Sequence, residues 1–171
     1  MEGNNRNKKE TPREIKSLIS DLANKDGLIR MNARQKLVEK GSSSIDYLAE
    51  LLDSPKDIQR WEAVKALGQI GDPVAIPLLI NALEDDDSDV RWLAAEGLIQ
   101  FGTDSLRPIL GELMDRYHSV FLREGAHHVI HNLGLARIKN RIDPLLAALK
   151  DEEMIDEIPL LSENILKSLE E

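Results

Sequence analysis

The sequence predicts an all-α protein, a solenoid of about five stacked helix pairs, and three observations carry that prediction. Glycines at Gly41, Gly71, Gly102 and Gly134 recur at intervals of 30, 31 and 32 residues. Arginines at Arg30, Arg60, Arg91 and Arg123 recur at the same intervals. Two residue types sharing one slowly drifting period mark an internal repeat. Between the glycines, residues 44–54, 73–85, 105–115 and 141–151 each carry apolar residues near i, i+1, i+4 and i+5, one stripe of a helix.

Each unit reads as two helices of about a dozen residues, A then B. The units run at about 12–41, 42–71, 72–102, 103–134 and 135–171, behind a polar arm, 1–11, expected to be disordered. Thr11-Pro12-Arg13-Glu14 is a capping box with proline in the first turn. Ser54-Pro55 and Asp72-Pro73 repeat the cap-then-proline device. The period glycines suit the residue just past a helix, where a positive φ favours Gly. In the fifth unit Ile155 stands at the arginine position, and Pro159 is expected to interrupt the second helix. Residues 151–171 hold eight acids and one base, Lys167, so −7 of the net −9 lies there. A degenerate, polar last unit is what the end of a solenoid requires.

Composition narrows the function classes. The 171 residues are 42% apolar but only 4% aromatic, enough for one aliphatic core. Cysteine is absent, which excludes disulfides, zinc-thiolate sites and cysteine nucleophiles. A net charge of −9 argues against a duplex-coating nucleic-acid binder. No apolar run approaches the roughly 20 residues that span a bilayer, and Met1–Glu10 has no signal-like apolar region. The expectation is a cytoplasmic monomer.

The closest internal match sets IQRWEAVKALGQIG (58–71) against DVRWLAAEGLIQFG (89–102). These residues resemble HEAT repeats, in particular the PBS-lyase HEAT-like subtype, whose pattern reads approximately D-x-x-V-R-x-x-A-A-x-A-L-G-x-I-G-D. The resemblance covers about residues 12–150 and implies a right-handed α-α superhelix. It also implies that Arg30, Arg60, Arg91 and Arg123 form a structural ladder, each paired with an acid near the end of the preceding A helix: Asp53 for Arg60, Asp85 for Arg91, Asp115 for Arg123. Family members include phycobilin lyase subunits, phycobilisome-degradation factors and small partner-binding proteins, so the fold alone leaves function open.

On each B helix, Ala63, Val64 and Leu67, or Ala94, Ala95 and Leu98, are expected to face the A helices. The intervening positions then line the concave surface, which the resemblance marks as the ligand-facing one. They comprise Met31; Trp61, Glu62 and Lys65; Trp92, Leu93, Glu96 and Gln100; and Glu124 and His128. Both tryptophans fall in register on this stripe. They form either a binding strip with Met31 and Leu93, rimmed by Glu62, Lys65 and Glu96, or satellite packing between B helices.

Signals for chemistry are weaker. All four histidines lie within 118–131, and Glu124, His128 and His131, or Glu124, His127 and His131, have ligand spacing on one helix. Glu96 is the neighbour expected beside His128. HEAT-like di-iron hydroxylases use repeated His-Glu dipeptides, and this chain has none. The acids of EDDDSD (84–89) mimic a calcium loop, but Val90 replaces its glycine, and helix N-termini attract acids for their own reason. The reading is therefore a non-catalytic scaffold or adaptor, binding a protein or peptide on the concave face, with no catalytic residue, metal or cofactor. The alternative is an accessory subunit of a lyase-type chromophore-handling or metal-dependent enzyme.

Overall fold

The computed structural model describes residues 12–170. The expected arm at 1–11, and with it Thr11 of the capping box, lies outside the described residues. Ten α-helices follow one another: α1 (Pro12–Asp21), α2 (Gly27–Lys40), α3 (Ile45–Leu51), α4 (Asp57–Ile70), α5 (Ile76–Ala82), α6 (Ser88–Gln100), α7 (Leu106–Arg116), α8 (Val120–Asn132), α9 (Lys139–Ala148) and α10 (Ile158–Ser168). No strand occurs among the described residues. The architecture is the all-α solenoid read from the repeat.

Period glycines turn the chain at four joints. Gly41, Gly71, Gly102 and Gly134 all have φ between 60° and 69°, where a Cβ would clash with the backbone. Single 3₁₀ turns then lead into α3, α5, α7 and α9. Asp72 caps one such turn, accepting the Val74 N–H at 3.0 Å with Pro73 behind it. Ser54-Pro55 behaves differently. Ser54 Oγ accepts the Lys56 N–H at 3.2 Å, and α4 begins two residues after the proline.

Helices α2, α4, α6 and α8 form one continuous layer, and α1, α3, α5 and α7 cover it. Leu37, Leu48, Leu67, Leu79, Leu98, Ile109, Leu113 and Leu122 fill the seam and are fully buried. The approach of α4 to α6 is set by two glycines. A Cβ on Gly68 would stand 3.1 Å from Gly97 Cα, tighter than ordinary contact, and a Cβ on Gly97 would press on Leu79 at 3.2 Å. The last unit departs from the pattern, as expected, but in its own way. Pro159 sits in the first turn of α10 and starts that helix, where a missing N–H costs nothing, instead of interrupting it. Helix α10 then packs chiefly on α7 and α9, so α8 ends the inner layer.

The arginine ladder exists, with partners other than those the resemblance implied. Arg60 does not pair with Asp53. Its Nε and Nη2 grip Asp85 of the next unit, each at 2.8 Å, and Nη2 also reaches Asp86. Arg30 Nε likewise reaches forward to Glu62 on α4 at 3.0 Å, and Arg34 holds the other Glu62 oxygen. Arg123 meets Glu152 at 2.7 Å and not Asp115. Among the described residues Arg91 takes no carboxylate; it donates to the Asp85 carbonyl at 2.7 Å and lies 4.0 Å from the centre of the Phe121 ring. The backward reach goes to main chain instead. Arg30, Arg60 and Arg91 each bond the carbonyl six residues earlier, at 2.8, 2.9 and 2.7 Å. Geometry explains the difference. A guanidinium on the first turn of a B helix bonds a carbonyl of the loop before that helix with one nitrogen, and the rest of its fork points toward the following unit.

Burial tends to raise the Asp85 carboxyl, but the Arg60 hydrogen bonds, the Asp87 N–H and Asp86 outweigh it, so its pKa lies below the ordinary 3.8. Arg60 is raised by the same bond, so both shifts favour the ionised pair. Removing Asp85 leaves a guanidinium with 11% side-chain exposure unpaired. Asp85→Ala should therefore cost about 3 kcal/mol, or about 6–12 °C in Tm, while Asp53→Ala should leave Tm nearly unchanged. Because the folded-state pKa is depressed, the Asp85 contribution is complete above pH 3.8 and lost as pH falls through the folded value. The gap between wild type and variant in thermal melts should close in that range.

Candidate functional site

The open face of the inner layer separates the predicted stripe into two groups. Met31 is 43% exposed and Trp92 58%, and Gln100 and Glu124 are also exposed. Glu62 is not on a rim. It is 2% exposed, with its two oxygens taken by Arg30 and Arg34, so it belongs to the ladder. Leu93 is half-buried and packs against the core, which removes it from the binding strip. Trp61 is also half-buried against the core. Lys65 Nζ stands 4.4 Å from the centre of its ring and the Arg34 guanidinium 5.8 Å. One tryptophan is thus packed and lidded by cations, and the other faces outward.

Trp92 does not stand alone. Phe121, in the first turn of α8, is 42% exposed and joins it across a cavity of about 280 Å³. Arg91, Glu124 and His128 line the same space. Its floor depends on Gly125, where a Cβ would come within 2.8 Å of Leu83. Phe121 escaped the sequence reading. The available signal was its place two residues before Arg123, where α6 carries Asp89 and α4 Ile58. His128 Nε2 lies 2.9 Å from Glu96, the neighbour expected for it, and this pair ties α8 to α6 beside the aromatics. The result is an aromatic wall with a cation stacked on it and a polar rim, suited to a planar or aliphatic group flanked by polar atoms.

The remaining candidates for chemistry have structural tasks. Asp85 belongs to Arg60, and Asp87 caps α6, accepting the Asp89 and Val90 N–H groups at 2.9 and 3.1 Å. Among the described residues no group of three or more His, Asp or Glu side chains is arranged to hold a metal ion. His118 lies against its neighbour Tyr117 with ring centres 4.0 Å apart and planes tilted by 34°. His127 and His131 stack at 5.9 Å. Burial first, then the positive charges of Lys150, His131 and His128, lower the His127 pKa below 6.5.

Two outcomes are expected. Trp61→Ala should destabilise the protein, and Trp92→Ala should leave Tm within about 2 °C of wild type, with differential scanning fluorimetry as the check. For His127 the unfolded chain takes its proton first. Stability should therefore decline as pH falls from 6.5 toward the lower folded value, then level off. His127→Gln should flatten that part of the stability profile, measured by urea titration across pH.

Residues 15–98, 45–128 and 76–157 match the family model for HEAT repeats. The chain is 30% identical over 129 residues to phycocyanobilin lyase subunit alpha of a Nostoc species, covering 71% of this chain and 44% of that protein. It is 36% identical over 89 residues to the phycobilisome maturation protein of Synechococcus elongatus, covering 52% of this chain and 43% of that one. It thus spans less than half the length of these curated relatives. A chain from the complex of CpcE and CpcF of phycocyanin lyase from Nostoc superimposes with a TM-score of 0.57 at 22% identity, over 87% of this chain and 98% of that chain, a likeness of fold. No described helix is long and apolar enough to cross a membrane.

Proposed function

The chain belongs to the HEAT-repeat family, in its PBS-lyase HEAT-like subtype, and from that premise we propose that it serves as a non-catalytic subunit in a lyase-type, chromophore-handling system. The observation that carries this is the 30% identity to a phycocyanobilin lyase subunit across 71% of the chain. A general adaptor would use the same face; the relatives favour the chromophore-handling role over it. In this reading the chain works in the cytoplasm and supplies no cofactor of its own. Its task is to hold a protein partner, a second lyase subunit, against α2, α4, α6 and α8.

Chemistry supports a docking role for that face. Trp92 and Phe121 present aromatic area on a fixed frame, because the His128–Glu96 bond ties α8 to α6 and Gly125 lets α8 pack closely on Leu83 at the end of α5. A rigid aromatic anchor loses little entropy on binding. Arg91 keeps the Phe121 ring in place from below. Met31 and the exposed Gln100 and Glu124 extend the surface along the layer.

Co-expression with a second lyase subunit and an apo-phycocyanin subunit, in cells that make phycocyanobilin, tests the reading. The chain should co-purify with the lyase subunit and raise the yield of covalently bound chromophore. The Trp92→Ala/Phe121→Ala double variant should weaken that capture by about thirtyfold or more, the loss of one aromatic hot spot of about 2 kcal/mol. Unchanged chromophore yield, with no co-purifying subunit, would overturn the proposal.

A further inference from the structure

We propose that Arg123 is the anchor of a second binding site, for a carboxylate carried on a short apolar body, at the α8 end of the inner layer. The inference is independent of the partner-binding role above. It starts from a comparison inside the chain. Leu83 and Leu149 both follow the last turn of an A helix, which makes Asp151 the counterpart of Asp85 and Glu152 the counterpart of Asp86. The two loops even share a turn: Asp87 N–H donates to Asp85, and Glu153 N–H to Asp151, both at 2.9 Å. Their arginines differ. Arg60 has its Nε and Nη2 filled together by the Asp85 carboxylate. Arg123 receives only the second partner, Glu152, on Nη2, while Asp151 stays exposed in the loop.

Its Nε is buried without a hydrogen-bond partner among the described residues, in a residue only 4% exposed. A guanidinium so deeply placed with an empty half-fork is costly, and its planar geometry matches one chemistry best, a two-oxygen carboxylate. The surroundings fit. Arg123, His127 and Lys150 line a cavity of about 330 Å³ whose apolar walls are Val120 and Leu149, with Glu124 at its edge. Lys150 makes no ion pair among the described residues and adds a second positive charge. Glu152, with 78% of its side chain exposed, is a plug that an incoming carboxylate can displace. The cavity exists because α10 turns onto α7 and leaves the outer side of α8 without a following inner-layer helix.

Sodium hexanoate is the probe, and the readout is the Arg123 Nε–Hε signal in a nitrogen–proton NMR spectrum, assigned with Arg123→Lys. Saturable shifts are expected in the millimolar range typical of a weakly bound small anion. Glu152→Gln, a change at an exposed residue, should tighten binding about fivefold, and Lys150→Ala should weaken it by about the same factor. Hexanol should give no shift. Absence of a saturable shift in both wild type and Glu152→Gln would overturn the site. So would equal binding of inorganic phosphate, which would mark a general anion patch. A ligand-free Nε–Hε signal that moves on Asp151→Asn would also overturn it, because the fork would then be filled from within.

Discussion

Asp85 is the joint on which the middle of the solenoid turns. Its side chain accepts two hydrogen bonds from Arg60 of the preceding unit and one from the Asp87 N–H, while its carbonyl accepts from Arg91 of its own unit. A pair of short helices cannot bury its own apolar stripe, so stacking is obligatory. Apolar burial, however, is non-directional and tolerates sliding or rotation of one unit on the next. A guanidinium fork on a carboxylate fixes both distance and direction. The Arg30–Glu62–Arg34 cluster performs the same task one unit earlier, with an acid drawn from the next B helix instead of the loop. The aliphatic core thus supplies the attraction between units, and the forward-reaching arginines supply the angle.

Where those arginines lose their partners, the surface changes character. Arg91 finds no carboxylate ahead of it and stacks on Phe121 instead, which places an aromatic ring at the open face. Arg123 finds half of a partner and leaves a charged cavity. The C-terminal acids, read from sequence as the polar end of the solenoid, thus include residues with specific contacts to other helices, Glu152 on Arg123 and Glu170 on Arg107. Both sites proposed for this molecule lie at irregularities of its ladder, where a unit fails to close on the next.

The repeat, the helix pairs, the glycine joints and the polar end were legible in sequence because each is a local property. A positive φ at Gly41, Gly71, Gly102 and Gly134 follows from position after a helix, and a spacing shows it. Partner choice in the ladder was not legible. Asp53 is the nearer to Arg60 in sequence and Asp85 lies 25 residues on, yet the direction of the side chain at the start of α4 selects Asp85. The binding stripe was legible in register but not in burial. Glu62 and Leu93 share the phase of the exposed residues, yet α2 and the core claim them from other units. Phe121 was hidden for the opposite reason, a single aromatic at a position whose counterparts are Ile58 and Asp89.

The two tryptophans show how one register yields two roles. Four residues beyond Trp61 comes Lys65, whose ammonium settles over the indole face, where the ring quadrupole attracts it. Four residues beyond Trp92 comes Glu96. A carboxylate is repelled by that same face, and Glu96 is in any case drawn across to His128 on α8. Trp61 is therefore covered by its own helix, with Arg34 assisting from the unit before. Trp92 has no such cover and keeps its ring toward Phe121 and solvent. A single charge reversal at one helical spacing thus divides a repeated aromatic into a packing element and an anchor, and the repeat becomes directional only where that symmetry breaks.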